Sequence, residues 1–146
     1  MIMIAEMNFS TARKEFTSVI DRVQGYMPIA ILPRKASEEH TILLKDAMLK
    51  DILLQLKFDL QLRDETEDAY TYWLDSFNMY GYGETKEEAL NSLVEDILLY
   101  VEEYYENPIL FYNTPNRRAH IPFILKVSLL CSNPEDVKRM LLRDAS

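Results

Sequence analysis

Residues 8–23, NFSTARKEFTSVIDRV, constrain the chain more than any other stretch. Ala12, Phe16, Val19, Ile20 and Val23 fall at helical spacing on one face, while Arg13, Lys14, Glu15, Asp21 and Arg22 fall elsewhere on the wheel. Ser10 stands where an N-cap belongs, since its hydroxyl can accept from an otherwise unpaired backbone N–H. An amphipathic helix is therefore predicted, entered from a short strand. The apolar run Met27–Pro33 suits a buried strand, and His40–Leu44 suits its hairpin partner. A second amphipathic helix is expected next, with Leu49, Ile52, Leu53 and Leu56 inward.

Phe9, Thr11, Ala12, Arg13, Val19 and Val23 give the pattern F-x-T-A-R-x(5)-V-x(3)-V. In this pattern, and in the order strand, helix, strand, strand, helix, the region from Met1 to about Leu56 resembles the Phd/YefM antitoxins, DNA-binding members of bacterial toxin–antitoxin modules. The family's hairpin loop is usually tight and contains Gly. Here it is Arg34–Glu39, longer and without Gly.

The second half opens with Phe58, Leu60 and Leu62 alternating with polar residues, a half-buried strand. Asp64–Asp68 reads as an acidic turn, Ala69–Phe77 as an aromatic-rich antiparallel strand and Asn78–Gly83 as a third. Thr85 and Glu88 then form a capping-box pattern. Leu90, Leu93, Val94, Ile97, Leu98 and Val101 make the apolar stripe of a long helix that Pro108 ends. Ile109–Tyr112 is a candidate strand, followed by a turn at Asn113–Asn116. Phe123–Cys131 alternates like a strand but also permits a helix with Pro122 in its first turn, and helix is favoured. Asn133-Pro134 reads as an N-cap and first helical position, with Val137, Met140 and Leu141 inward. Gly81-Tyr82-Gly83-Glu84-Thr85-Lys86-Glu87-Glu88-Ala89 is close to the G-x-T-x-E-E-A segment of HicB-type antitoxin domains, and residues 58–105 resemble that β-β-β-α unit.

The expected fold is thus α+β, with a Phd/YefM-like DNA-binding and dimerisation domain over 1–57 and an acidic HicB-like partner-binding domain over 58–146. Charge supports a division of labour. The net charge is −8, but residues 1–57 carry 8 Lys+Arg against 7 Asp+Glu (+1), leaving −9 for the remainder. A near-neutral half can approach nucleic acid through a local patch, whereas an acidic half prefers a basic partner.

Asn8, Ser10, Thr11, Arg13 and Lys14 cluster where a helix begins. Backbone N–H groups there favour phosphate, Arg can read guanine and Asn adenine. An ordinary capped helix with a solvated face explains the same residues, and the family resemblance tips the reading to DNA contact. Arg13, placed in the first turn, would sit at the positive end of the helix dipole, a poor position unless an anion arrives. Arg34 and Lys35 are further candidates for phosphate contact. Tyr70, Tyr72, Trp73, Phe77, Tyr80 and Tyr82 could stack on bases, but the surrounding acidity favours core packing.

No catalytic constellation, metal-ligand spacing or cofactor motif emerges. His40 and His120 are far apart, Cys131 is a lone cysteine, and three glycines cannot build a phosphate loop. Asp64, Glu65, Glu67 and Asp68 are better read as a solvated turn than as a cation site. No apolar run reaches membrane-spanning length and Met1–Ile4 is too short for a leader, so a cytoplasmic protein is expected. The resemblance implies the antitoxin of a type II module, not an enzyme. It would be a homodimer that neutralises a RelE/ParE-like or Doc-like toxin by binding and autorepresses its operon through operator DNA. The alternative is a stand-alone transcriptional regulator with a dimerisation or ligand-sensing second half. A degenerate nuclease-like enzyme ranks third.

Overall fold

The computed structural model describes residues 3–146; Met1 and Ile2, part of the stretch read for a leader, lie outside it. The chain divides into two compact α+β units, residues 1–52 and 53–146.

In the first unit, β1 (Ala5–Met7) pairs in parallel with β2 (Ile29–Ile31), and β2 pairs antiparallel with β3 (Thr41–Leu43). A parallel pair needs a crossover. It is supplied by α1 (Phe9–Lys14) and α2 (Phe16–Gln24). The single helix expected here is interrupted at Glu15, whose φ of −109° and ψ of 30° leave the helical region. Hydrogen bonds from Glu15 N–H to the Thr11 carbonyl (3.0 Å) and from Val19 N–H to the Glu15 carbonyl (2.9 Å) carry the chain through the kink. The core is small: Ala12, Val19, Val23 and Ile29 are buried, with Met7, Ile31 and Leu43 packed against them. Ile20 is half-buried, and Phe16, expected inward, is 52% exposed. Phe16 lies on the same side as Ala12, but nothing else in the unit closes over it.

The helix α3 (Asp46–Leu54) contains the division between the units. Leu53 is buried and Leu49 and Leu56 are half-buried, one stripe at the expected spacing. Ile52, also expected inward, is 57% exposed at the stripe's margin.

The second unit is an antiparallel sheet of β4 (Leu60–Glu65), β5 (Tyr70–Leu74) and β6 (Met79–Gly83), backed by the long α4 (Lys86–Glu106). Asp64 and Glu65 belong to β4, paired with Thr71 and Tyr70 after a register shift between Leu62 and Asp64, rather than to the expected turn. The bulge extends the strand, and the turn is closed by Thr66 N–H donating to the Ala69 carbonyl at 2.9 Å. Gly81 and Gly83 let α4 lie directly on β6. A Cβ on Gly81 would fall 2.3 Å from the Ala89 carbonyl oxygen, and one on Gly83 2.4 Å from the Ala89 nitrogen. Thr85 caps α4 by accepting from Glu88 N–H at 3.1 Å, while the Glu88 carboxylate reaches back to Glu84 N–H at 2.9 Å, one residue earlier than in the usual capping box.

Beyond α4 the chain is helical: α5 (Pro108–Asn113), α6 (Pro115–Arg118), α7 (Ile121–Leu130) and α8 (Pro134–Ala145). The strand expected at Ile109–Tyr112 is therefore a helix, because Pro108 at its first position presets φ and forfeits only an N–H that has no intrahelical partner. The expected turn at Asn113–Asn116 narrows to Thr114, with α6 following at once. Phe123–Cys131 is helical up to Leu130. Asn133 caps α8, accepting from Asp136 N–H at 2.8 Å, and Val137, Met140 and Leu141 are buried as expected.

Inside this unit Lys126 and Asp144 are both buried and lie 2.5 Å apart. Lys126 also donates to the Leu56 carbonyl, and Asp144 accepts from Phe58 N–H at 3.1 Å. The pair ties α7 and α8 to the chain entering β4.

Candidate functional site

The expected DNA-facing residues gather at the start of α1. Asn8, not Ser10, is the N-cap: its Oδ1 accepts from Ser10 N–H at 2.8 Å. The helix thus begins two residues earlier than the sequence reading placed it. Arg13 consequently stands in the last turn of the six-residue α1 together with Lys14. A cation there is favoured by the helix dipole, not opposed by it. The position of Arg13 therefore gives no electrostatic reason to expect an anion there.

What the fold does bring together is Ser10, Arg13 and Lys14, which line one shallow recess without an acidic residue. All three are exposed, as is Thr11. Arg13 also borders a second recess of about 400 Å³, formed with Phe9, Ala12, Phe16 and Ile31 and almost wholly apolar. One side chain therefore joins a basic surface to an unfilled apolar one. Periodicity placed Phe16 inside, and its position in an open recess depends on how little chain the first unit has to cover it.

Arg34 is less available than Arg13. Glu38 accepts from its backbone N–H (3.1 Å), its Nε (2.9 Å) and its Nη2. This clasp raises the guanidinium's pKa and lowers the Glu38 carboxyl's, in each case chiefly through the hydrogen bonds. The guanidinium also lies over the Phe9 ring at 5.3 Å, which brings the loop to the first residue of α1. Lys35 is exposed and has no ion pair among the described residues. It lines neither recess at α1.

In the second unit the aromatic group splits by strand alternation. Tyr72 and Phe77 are buried in the core beneath α4, with Tyr70 packed at its edge. Trp73 lies on the other face of the sheet, 4.4 Å from Tyr80, which stacks on Tyr82 at 5.9 Å. Arg63 lies over Trp73 at 5.0 Å. Core packing accounts for the first set, while Tyr80 and Tyr82 are exposed. Near the end of α4, the Tyr100 hydroxyl and His120 Nδ1 are 2.7 Å apart. Burial and then the nearby Arg117 charge lower the imidazole pKa.

Among the described residues no group of three or more His, Cys, Asp or Glu side chains could hold a metal ion, and no helix is long and apolar enough to cross a membrane. Asp64 and Glu65, neighbours in β4, point to opposite faces of the sheet.

Residues 3–143 match the model of a family described as PHD-like: antitoxin of toxin–antitoxin, RelE/RelB, TA system. A crystal structure from Syntrophomonas wolfei subsp. wolfei, described as the antitoxin part of a proposed toxin/antitoxin system, is similar with a TM-score of 0.78. The two share 34% identity over 94% of this chain and 96% of that one. No curated protein matches the chain.

Proposed function

The chain belongs to the PHD-like family of toxin–antitoxin antitoxins, and on that premise we propose that it neutralises a cognate toxin by stoichiometric binding in the cytoplasm and represses its own operon. In this reading the first unit is Phd/YefM-like, pairs as a homodimer and binds operator DNA. The second is HicB-like and engages the toxin, of the RelE/ParE or Doc type. No catalytic step is involved. The observation that carries the assignment within the first unit is the junction at Arg13. The basic recess of Ser10, Arg13 and Lys14 suits phosphate and base edges. The adjoining apolar recess suits a second copy, whose docking would set two such basic recesses on one assembly. Asn8 and Thr11 flank this surface on α1, Lys35 would add a phosphate contact from the loop, and Arg34 contributes only if Glu38 releases it. The element order β-α-α-β-β-α, with α1 and α2 in place of one helix, supports the first resemblance and β-β-β-α the second.

The test is co-expression of the full chain with the product of the adjoining gene in its native operon. The antitoxin rescues growth and co-purifies with that product, whereas a stand-alone regulator does neither. Fluorescence anisotropy on the DNA upstream of the operon measures repression directly. Arg13→Ala lowers operator affinity by about tenfold or more, equivalent to ~1.4 kcal/mol, and leaves toxin binding unchanged. Undiminished DNA binding by that variant removes Arg13 from the interface.

A further inference from the structure

The long helix α4 buries Leu90, Leu93, Val94 and Ile97 and turns a different stripe outward. Glu95, Leu99, Glu102 and Glu106 recur at i, i+4, i+7 and i+11, so they form one line along the exposed side. Leu99, in the middle of that line, is 64% exposed. The chain breaks from helix at Asn107, and α5 packs back on α4 through Phe111 against Tyr100 and Tyr104; on α5 Ile109 is 77% and Leu110 55% exposed, and Tyr105 near the end of α4 is 56% exposed. Scattered exposed apolar residues need no explanation, but a run of large ones along adjoining helices does.

Four of the carboxylates on this side of α4 are unspent. Glu95, Asp96, Glu102 and Glu106 have no ion-pair partner among the described residues. The nearby cations are committed elsewhere. Arg117 pairs with Glu103 at 3.2 Å and lies over the Phe111 ring. Arg118 donates to the Tyr112 carbonyl at 2.6 Å and lies over that ring at 4.0 Å. The ridge thus offers an apolar crest with an unpaired negative rim. Nucleic acid and anionic lipid are repelled by it, and a second copy would bring carboxylates against carboxylates. The complementary surface is an apolar depression ringed by Lys and Arg on another protein.

We propose that the ridge formed by the second half of α4 and by α5 is the surface on which the second unit grips its toxin, through a basic, apolar-centred face of that toxin. This rests on the antitoxin reading and deepens it. The test uses the full chain and the purified product of the adjoining gene. Ile109→Arg with Leu110→Arg weakens the complex by at least about thirtyfold, the scale of an interface hot spot. Glu102→Lys with Glu106→Lys slows association and flattens its salt dependence. All four side chains are exposed, so the variants keep the wild-type melting temperature. Hydrogen exchange in the complex shows protection over residues 99–112. Unchanged affinity in both variants, or protection confined to other elements, overturns the ridge while the antitoxin reading stands. A wild-type chain that binds nothing overturns both. If the variants instead lower the mass of the isolated chain in solution, the ridge is a contact between copies and the proposal fails.

Discussion

The two units meet the same requirement, a closed apolar core, with very different success. The second buries Phe58, Leu74, Leu93, Ile97, Phe111 and Ile124 almost completely and packs a ring of aromatic and aliphatic residues around them. The first buries only Ala12, Val19, Val23 and Ile29 in its cluster, and leaves Phe9 and Phe16 around an open recess. Small domains bury too little of their surface to be robust alone. A unit built on strands of three residues is expected to take part of its stability from a partner. With the homodimer proposed above, the difference would separate a body that folds on its own resources from one whose fold and binding are coupled.

The sharpest way to break that contrast is to disable the second unit from within. Asp144→Ala leaves the Lys126 ammonium buried without its counter-ion, and loss of one partner of such a pair costs about 3–5 kcal/mol. Chemical denaturation should show that loss. Lys126→Met combined with Asp144→Leu should restore only part of it, since the apolar pair avoids the desolvation cost but leaves the Leu56 carbonyl and the Phe58 N–H without the partners they have now. Next in size is Gly81→Ala. Its new Cβ would press on the Ala89 carbonyl and the Leu93 side chain, an overpacking strain of about 1–3 kcal/mol. Gly25→Ala in the first unit, where the nearest atom is 3.3 Å away, should change stability by less than about 1 kcal/mol in thermal melts.

Phe16→Asp tests the other side of the comparison. It should leave the first unit's secondary structure intact by circular dichroism and convert the proposed homodimer to a monomer by light scattering. A wild-type monomer at micromolar concentration would remove the coupling argued for the first unit.

The smallest expected effect is a pH dependence confined to the second unit. The folded His120 pKa lies below its ordinary 6.5 because burial, and secondarily Arg117, disfavour the imidazolium. Above 6.5 neither state is protonated and stability is full. As pH falls below that value the unfolded chain takes up the proton first, so stability declines until the pH passes below the folded pKa. His120→Gln should flatten this slope in urea titrations across the mildly acidic range.

The regular parts of the second unit were legible because local signals agree there. The Thr85 and Asn133 caps, the stripe from Leu90 to Ile97 and the proline at the start of α8 each name one structure. Ile109–Tyr112 misled because a short apolar run carries no period, and Pro108 was read as the end of one helix rather than also the start of another. In the first unit the hydrophobic pattern was read correctly as one face, but no pattern says whether anything covers a face, so Phe16 and Ile52 were misplaced. The candidate site suffered from a shift of two residues in the helix start. Asn8 and Ser10 are both good caps, and choosing the second moved Arg13 to the wrong end of the dipole. The buried Lys126–Asp144 pair was invisible, since 17 residues separate the two in a sequence rich in both types. The line of Glu95, Leu99, Glu102 and Glu106 on α4, by contrast, is present in their spacing, but spacing alone does not tell a solvated face from a docking one.

Trp73 is the single tryptophan of the chain, and it lies in the second unit with little of its surface in contact with solvent. Its indole is flanked by the Tyr80 ring and the Arg63 guanidinium, and its Nε1 has no hydrogen-bond partner. The molecule therefore carries its own optical reporter in one unit and none in the other. Selective indole excitation should give a blue-shifted emission whose red shift follows the unravelling of β4–β6 alone, while far-ultraviolet dichroism sums both units. Superposing the two signals on one denaturation curve distinguishes a chain that unfolds in a single event from one whose first unit melts while the indole still glows unchanged.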